Sequence, residues 1–105
     1  MSTQWHDIGG VDEVTPDCPL SVKVEGRNIG VYELAGRYYA IDDLCPHADA
    51  MLSKGSVMGE QIKCPFHGAR FHIPSGKHID GPGKRDLECF SVKREGTRLL
   101  VRRND

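Results

Sequence analysis

From Leu20 onward, apolar and polar side chains alternate in short runs broken by turn residues, and no helical period lasts more than a turn or two. Ser21-Val22-Lys23-Val24-Glu25 has the two-residue period of a half-buried strand. Gly26-Arg27-Asn28 turns the chain, and residues 29–34 return. After Ala35-Gly36-Arg37, the run Tyr38-Tyr39-Ala40-Ile41 predicts a third strand, which leads to Asp42, Asp43 and Leu44. Glu60-Gln61-Ile62-Lys63, after Gly59, predicts a short strand. Ala69, Phe71 and Ile73 then alternate with Arg70 and His72, so the first three are expected inward and the other two outward. Pro74-Ser75-Gly76 and Gly81-Pro82-Gly83 mark further turns. Residues 87–93 and 97–102 predict a final hairpin around Arg94-Glu95-Gly96, with Leu99 and Val101 on one face. About eight or more short antiparallel strands with Gly/Pro punctuation imply an all-β domain, a sandwich or a small barrel.

The first twenty residues are less regular. Asp12-Glu13-Val14 permits one helical turn, and Pro16 and Pro19 stop it there. Trp5 is expected to cover the core. Residues 48–56 are small, polar and glycine-containing, a long loop for a compact domain unless it has a task. A length of 105 residues implies a single domain over 1–105. The net charge of −1 supplies no basic face for nucleic acid. No charged leader with an apolar run opens the sequence, and no stretch approaches eighteen apolar residues, so a soluble cytoplasmic protein is expected, without a membrane partner. Gly83-Lys84 is followed by Arg85 where a phosphate loop needs Ser or Thr, and no glycine fingerprint for a dinucleotide is present.

The chemistry concentrates in Cys45-Pro46-His47 and, sixteen residues later, Cys64-Pro65-Phe66-His67. Two thiolates and two imidazoles can hold a tetrahedral zinc, which would make the chain a zinc-stabilised interaction module. The order of the donors speaks against that: zinc fingers pair Cys with Cys and His with His, whereas here each pair is mixed. Pro65, Gly68 and Pro74 also leave no room for a helix to carry the histidines. Two loops that each bring one Cys and one His fit a two-iron cluster, one iron taking both sulfurs and the other both imidazoles. The remaining Cys18 and Cys89 are expected as half-buried thiols rather than a bridge, since a reducing compartment disfavours disulfides. His6, His72 and His78 lie outside the ligand spacing and are expected at the surface.

This pattern, Cys-x-His, sixteen residues, then Cys-x-x-His-Gly and a Gly-Pro-Gly loop at 81–83, resembles the Rieske-type ferredoxins. The resemblance implies a Rieske fold with cluster-binding loops at about 43–56 and 64–72 and one [2Fe–2S] cluster per chain, held by Cys45, His47, Cys64 and His67. It implies an electron carrier, not an enzyme. Electrons would pass from an NAD(P)H-dependent, flavin-containing reductase to a terminal ring-hydroxylating oxygenase, and the chain is expected to be monomeric. A Rieske-like small subunit of a nitrite reductase is the other reading within the same chemistry. Only 38 residues follow His67, too few for an oxygenase domain with its own iron. In high-potential Rieske proteins, two extra cysteines bridge the ligand loops, and a Ser and a Tyr donate hydrogen bonds to the sulfurs. The matching positions here are Ala50, Phe66, Ala69 and Phe71. Fewer donors leave the reduced, more negative state less stabilised, so the expected potential is low in the Rieske range, about −150 mV. Asp42, Asp43, Asp49, Lys54, Lys63 and Arg70 are candidate charges for orienting partners.

Overall fold

The computed structural model describes residues 4–44, 51–65, 68–81 and 85–103. Ten strands follow in order: β1 (His6–Gly10), β2 (Leu20–Val24), β3 (Arg27–Leu34), β4 (Arg37–Asp42), β5 (Ser56–Met58), β6 (Gln61–Lys63), β7 (Arg70–His72), β8 (His78–Asp80), β9 (Cys89–Glu95) and β10 (Arg98–Arg103). Single 3₁₀ turns occupy Val11–Glu13 and Leu52–Lys54. Every predicted strand is present, with its ends shifted by at most two residues. The three-residue strands β5 and β8 and the glycine-rich β1 carry little of the alternation that revealed the others.

All pairings are antiparallel. One sheet has six strands in the order β1-β10-β9-β4-β3-β2, the other four in the order β5-β6-β7-β8. The β2–β3 and β3–β4 hairpins turn on Glu25-Gly26 and Ala35-Gly36, all four residues with positive φ. That is the primed two-residue turn, whose twist matches the strands it joins.

The six-stranded sheet curls around one core of Val14, Val24, Ile29, Val31, Ala40, Phe90, Leu99 and Val101. Its two edges approach each other, since His6 of β1 stands 3.5 Å from Glu25 beside β2. The result is a nearly closed small barrel. Alternation along β3 and β4 sends Tyr32 and Ile41 to the outside of that barrel. There they join Leu52, Ile62, Cys64, Ala69, Phe71, Ile73 and Leu87 in a second core beneath the four-stranded sheet. β3 and β4 are thus apolar on both faces, which is why they read as nearly continuous hydrophobic runs. No helix among the described residues is long and apolar enough to cross a membrane.

Three expectations need correction. Trp5 lies in neither core: one residue ahead of the His6–Val101 pair, it falls on the outward parity of the sheet. Its ring sits 4.5 Å from the Lys93 ammonium and 4.8 Å from the Arg102 guanidinium, a cation–π stack on both. His6, by the same parity, turns inward and is half-buried. Cys18 is exposed in the tight turn closed by Thr15 and Cys18, while Cys89 is half-buried as expected.

Candidate metal centre

Of the four expected ligands, Cys64 is described, while Cys45, His47 and His67 lie outside the described residues, as do Asp49, Ala50, Phe66 and the Pro82-Gly83 part of the third loop. What the structure shows is how the chain is fixed where it enters and leaves each ligand segment. The first segment begins after Leu44 and ends before Met51, and these two residues form an antiparallel bridge. Next to it, the Leu52 N–H donates to the Asp43 carbonyl at 2.7 Å. The second segment is closed in the same way, for the Cys64 N–H donates to the Ala69 carbonyl at 2.7 Å. Both closures back onto one core, the one that holds Leu52, Cys64 and Ala69 together.

Cys64 itself is 2% exposed, walled by Tyr32, Ile41 and the apolar side chains of β6 and β7. Ala69, Phe71 and Ile73 point inward and Arg70 and His72 outward, as the alternation requires. Ala69 and Phe71 are fully buried and carry no hydroxyl. The third loop is brought in by contact: a side chain at Gly81 would come within 2.6 Å of the Ala69 Cα, and Gly81 has a φ of +84°. Only glycine combines that approach with that backbone angle, so Gly81 is seated directly against Ala69.

Several charged residues near the site are already engaged. Arg70, a candidate docking charge, is paired in a fork to Asp80 across β7 and β8. This pairing raises the guanidinium's pKa and lowers the carboxyl's, in each case chiefly through the side-chain hydrogen bond. Asp42 lies 3.6 Å from Arg27, which also bonds Glu88 at 2.8 Å. Burial pushes the Asp42 carboxyl up, and Arg27 only partly offsets this. Asp43 is a plain correction. Read from sequence as a surface charge, it is 0% exposed. Its carboxylate accepts from the Ser21 hydroxyl at 2.7 Å, the Ser53 N–H at 2.7 Å and the Ser53 hydroxyl at 2.8 Å. The buried Tyr32 hydroxyl is pushed far above the usual phenol range, first by burial and then by the charge of Asp43. Lys54 and Lys63 are exposed, as expected.

The other histidines have local tasks. His72 Nδ1 meets the Ser75 hydroxyl at 2.7 Å and Nε2 meets Glu60 at 3.2 Å. His78 meets the Gly81 carbonyl at 3.0 Å and lies edge-on to Phe71, 5.4 Å between ring centres. Among the described residues no cluster of three or more His, Cys, Asp or Glu could hold a metal. Cys64, a buried thiol where the second segment is closed by its bond to Ala69, fits a thiolate-bound centre.

Comparison with known proteins agrees with this geometry. A family model described as "Rieske [2Fe-2S] domain" matches residues 4–91. The ferredoxin component of the naphthalene 1,2-dioxygenase/salicylate 5-hydroxylase systems of Ralstonia sp is 35% identical over 102 residues, covering 97% of this chain and 98% of that protein. Among solved structures, the Sphingomonas yanoikuyae B1 ferredoxin superposes with a TM-score of 0.90 at 28% identity, covering 96% of this chain and 100% of that one. A chain from a complex of reduced oxygenase and oxidised ferredoxin in carbazole 1,9a-dioxygenase gives 0.88 at 28% identity, covering 96% of this chain and 94% of its own.

Proposed function

This chain belongs to the Rieske [2Fe–2S] domain family, and from that premise we propose that Cys45, His47, Cys64 and His67 hold one cluster in a single domain spanning residues 1–105. The relatives are ferredoxin components of dioxygenase systems, and this chain is likewise an electron-transfer component, not a catalytic one. When bound, the cluster supplies a site for one electron, at a potential raised by two neutral imidazoles in place of two thiolates. The protein's own residues do the rest. Cys64 is kept dry, hydrogen-bonded closures fix the residues where each segment starts and ends, and Gly81 packs against Ala69. Ala69 and Phe71 donate nothing, which supports a potential low in the Rieske range, about −150 mV.

The observation that carries this reading is that Leu52, just after the first mixed segment, and Cys64 and Ala69, at the two ends of the second, share one buried core in a chain matched over nearly its whole length by ferredoxins. The donor is proposed to be a flavin-containing NAD(P)H reductase and the acceptor a terminal ring-hydroxylating oxygenase, the latter supported by the ferredoxin–oxygenase complex. Leu44, 39% exposed beside Cys45, and Ile79, 41% exposed on β8, offer apolar contact near the site for brief docking. A soluble, cytoplasmic monomer suits a shuttle between two partners. Anaerobic reductive titration tests the proposal: one electron taken up per chain, then passed on to an oxygenase, is the expected result. A protein that takes up none refutes it.

A further inference from the structure

Asp43 is the one buried acidic side chain among the described residues, and its placement is unusual in two ways. The first is connectivity. Its carbonyl accepts from Leu52 N–H at 2.7 Å and its own N–H donates to Asn28 at 2.9 Å. Its carboxylate reaches forward to the N–H and hydroxyl of Ser53, at 2.7 and 2.8 Å. Backbone and side chain of one residue thus grip the strand before the first ligand segment and the turn after it. The second is charge. Three donors converge on the carboxylate oxygens, but no ion pair to Asp43 is found among the described residues. Hydrogen bonds make the buried charge tolerable without cancelling its field as a cation would. Room for it is made by Gly30, where a side chain would come within 3.0 Å of the carboxylate and 3.2 Å of the Tyr32 hydroxyl.

We propose that Asp43 is a positioning residue for the metal centre, pinning both ends of the first ligand segment while its negative charge holds the reduction potential down. The inference rests on the reading of Cys45, two residues further on, as a ligand. An added electron is disfavoured by a fixed negative charge nearby. Unit charges on the order of 10 Å apart in a protein interior shift each other's equilibria by about tenfold. The two roles separate by substitution. Asp43→Asn keeps an oxygen for the Ser53 N–H and removes the charge, whereas Asp43→Ala removes both.

The test is a redox titration of the cluster-loaded protein, with its loss of iron to a chelator followed in parallel. Asp43→Asn is expected to keep its iron and sulfide and to raise the reduced-to-oxidised ratio at fixed potential about tenfold, a shift of about 59 mV for one electron. Asp17→Asn, a control at an exposed carboxylate, is expected to leave the ratio unchanged. Asp43→Ala is expected to lose iron at least about tenfold faster than Asp43→Asn. The proposal is overturned if Asp43→Asn moves the ratio no more than Asp17→Asn does, or if Asp43→Ala keeps iron as long as Asp43→Asn. Should Asp43→Asn fail to hold the cluster, Ser21→Ala decides. It keeps the charge, removes one donor and is expected to lower the ratio about threefold; an unchanged or raised ratio overturns the proposal. A wild-type protein without iron and sulfide would instead sink the reading of the ligands.

Discussion

The barrel and the small sheet are held together by different means. Barrel strands run five to eight residues and enclose a core assembled from all six of them. The small sheet has four strands of three residues each, and its core borrows Tyr32 and Ile41 from the barrel's outer face. Three-residue strands form too few rungs to stand alone. What fixes them is a set of point constraints at their ends: a buried cysteine, hydrogen-bonded loop closures and backbone contacts that tolerate no side chain. The barrel folds by burying area, while the site depends on a few atoms in particular places, so similar mutations should have different consequences in the two halves.

The largest contrast is expected from Cys64→Ser. In the barrel a Cys-to-Ser change would be a modest packing loss, whereas here it removes a proposed ligand. The variant is expected to bind no cluster and to lose amide protection across β5–β8 while keeping it across β3, β4, β9 and β10, as hydrogen exchange will show. Core truncations come next. Leu99→Ala in the barrel should cost about 2–5 kcal/mol in denaturant titration and leave the cluster's potential where it was. Phe71→Ala, also fully buried, should cost about 3–5 kcal/mol and in addition speed iron loss, because Phe71 shares a core with Cys64. A smaller effect separates backbone from side chain. Gly81→Ala is expected to cost about 1–3 kcal/mol and to loosen the third loop, whereas alanine at Gly26, which meets nothing within 4 Å, should cost less.

The smallest effect is on pH dependence. Asp80 in the small sheet and Asp7 on the barrel both have lowered pKa values, each chiefly through a hydrogen bond from an arginine, Arg70 and Arg98. Their contribution to stability is present above the unfolded Asp value of about 3.9 and is lost as pH falls through the lower folded values. Asp42 runs the other way. Its folded value is raised by burial, so its contribution is present below the unfolded value and is lost as pH rises through the folded one. Carboxyl titration by NMR should find Asp7 and Asp80 below the ordinary Asp midpoint and Asp42 above it.

The same contrast explains what could be read from the chain beforehand. Barrel strand β2 declares itself by strict alternation, with Leu20, Val22 and Val24 on one side, and β10 by the apolar run around Leu99 and Val101. The ligand types and their order point to the site because few centres accept two mixed Cys/His pairs. Of the strands without a signature in the sequence, β5 and β8 are too short for a period to register, and β1 ends in two glycines that carry no side chain to alternate. Trp5 was misjudged because aromatic character alone does not give the parity, which the His6–Val101 register sets. Asp43 was taken for a surface charge because a carboxylate beside another carboxylate in a loop usually is one. Its donors, Ser21 and Ser53, lie 22 and 10 residues away and leave no local signature.

The central claim is a two-iron cluster carried by two unlike pairs of donors, and elemental analysis of the purified protein tests it most directly. Two irons and two acid-labile sulfides per chain are the predicted result. One zinc per chain with no sulfide would contradict it.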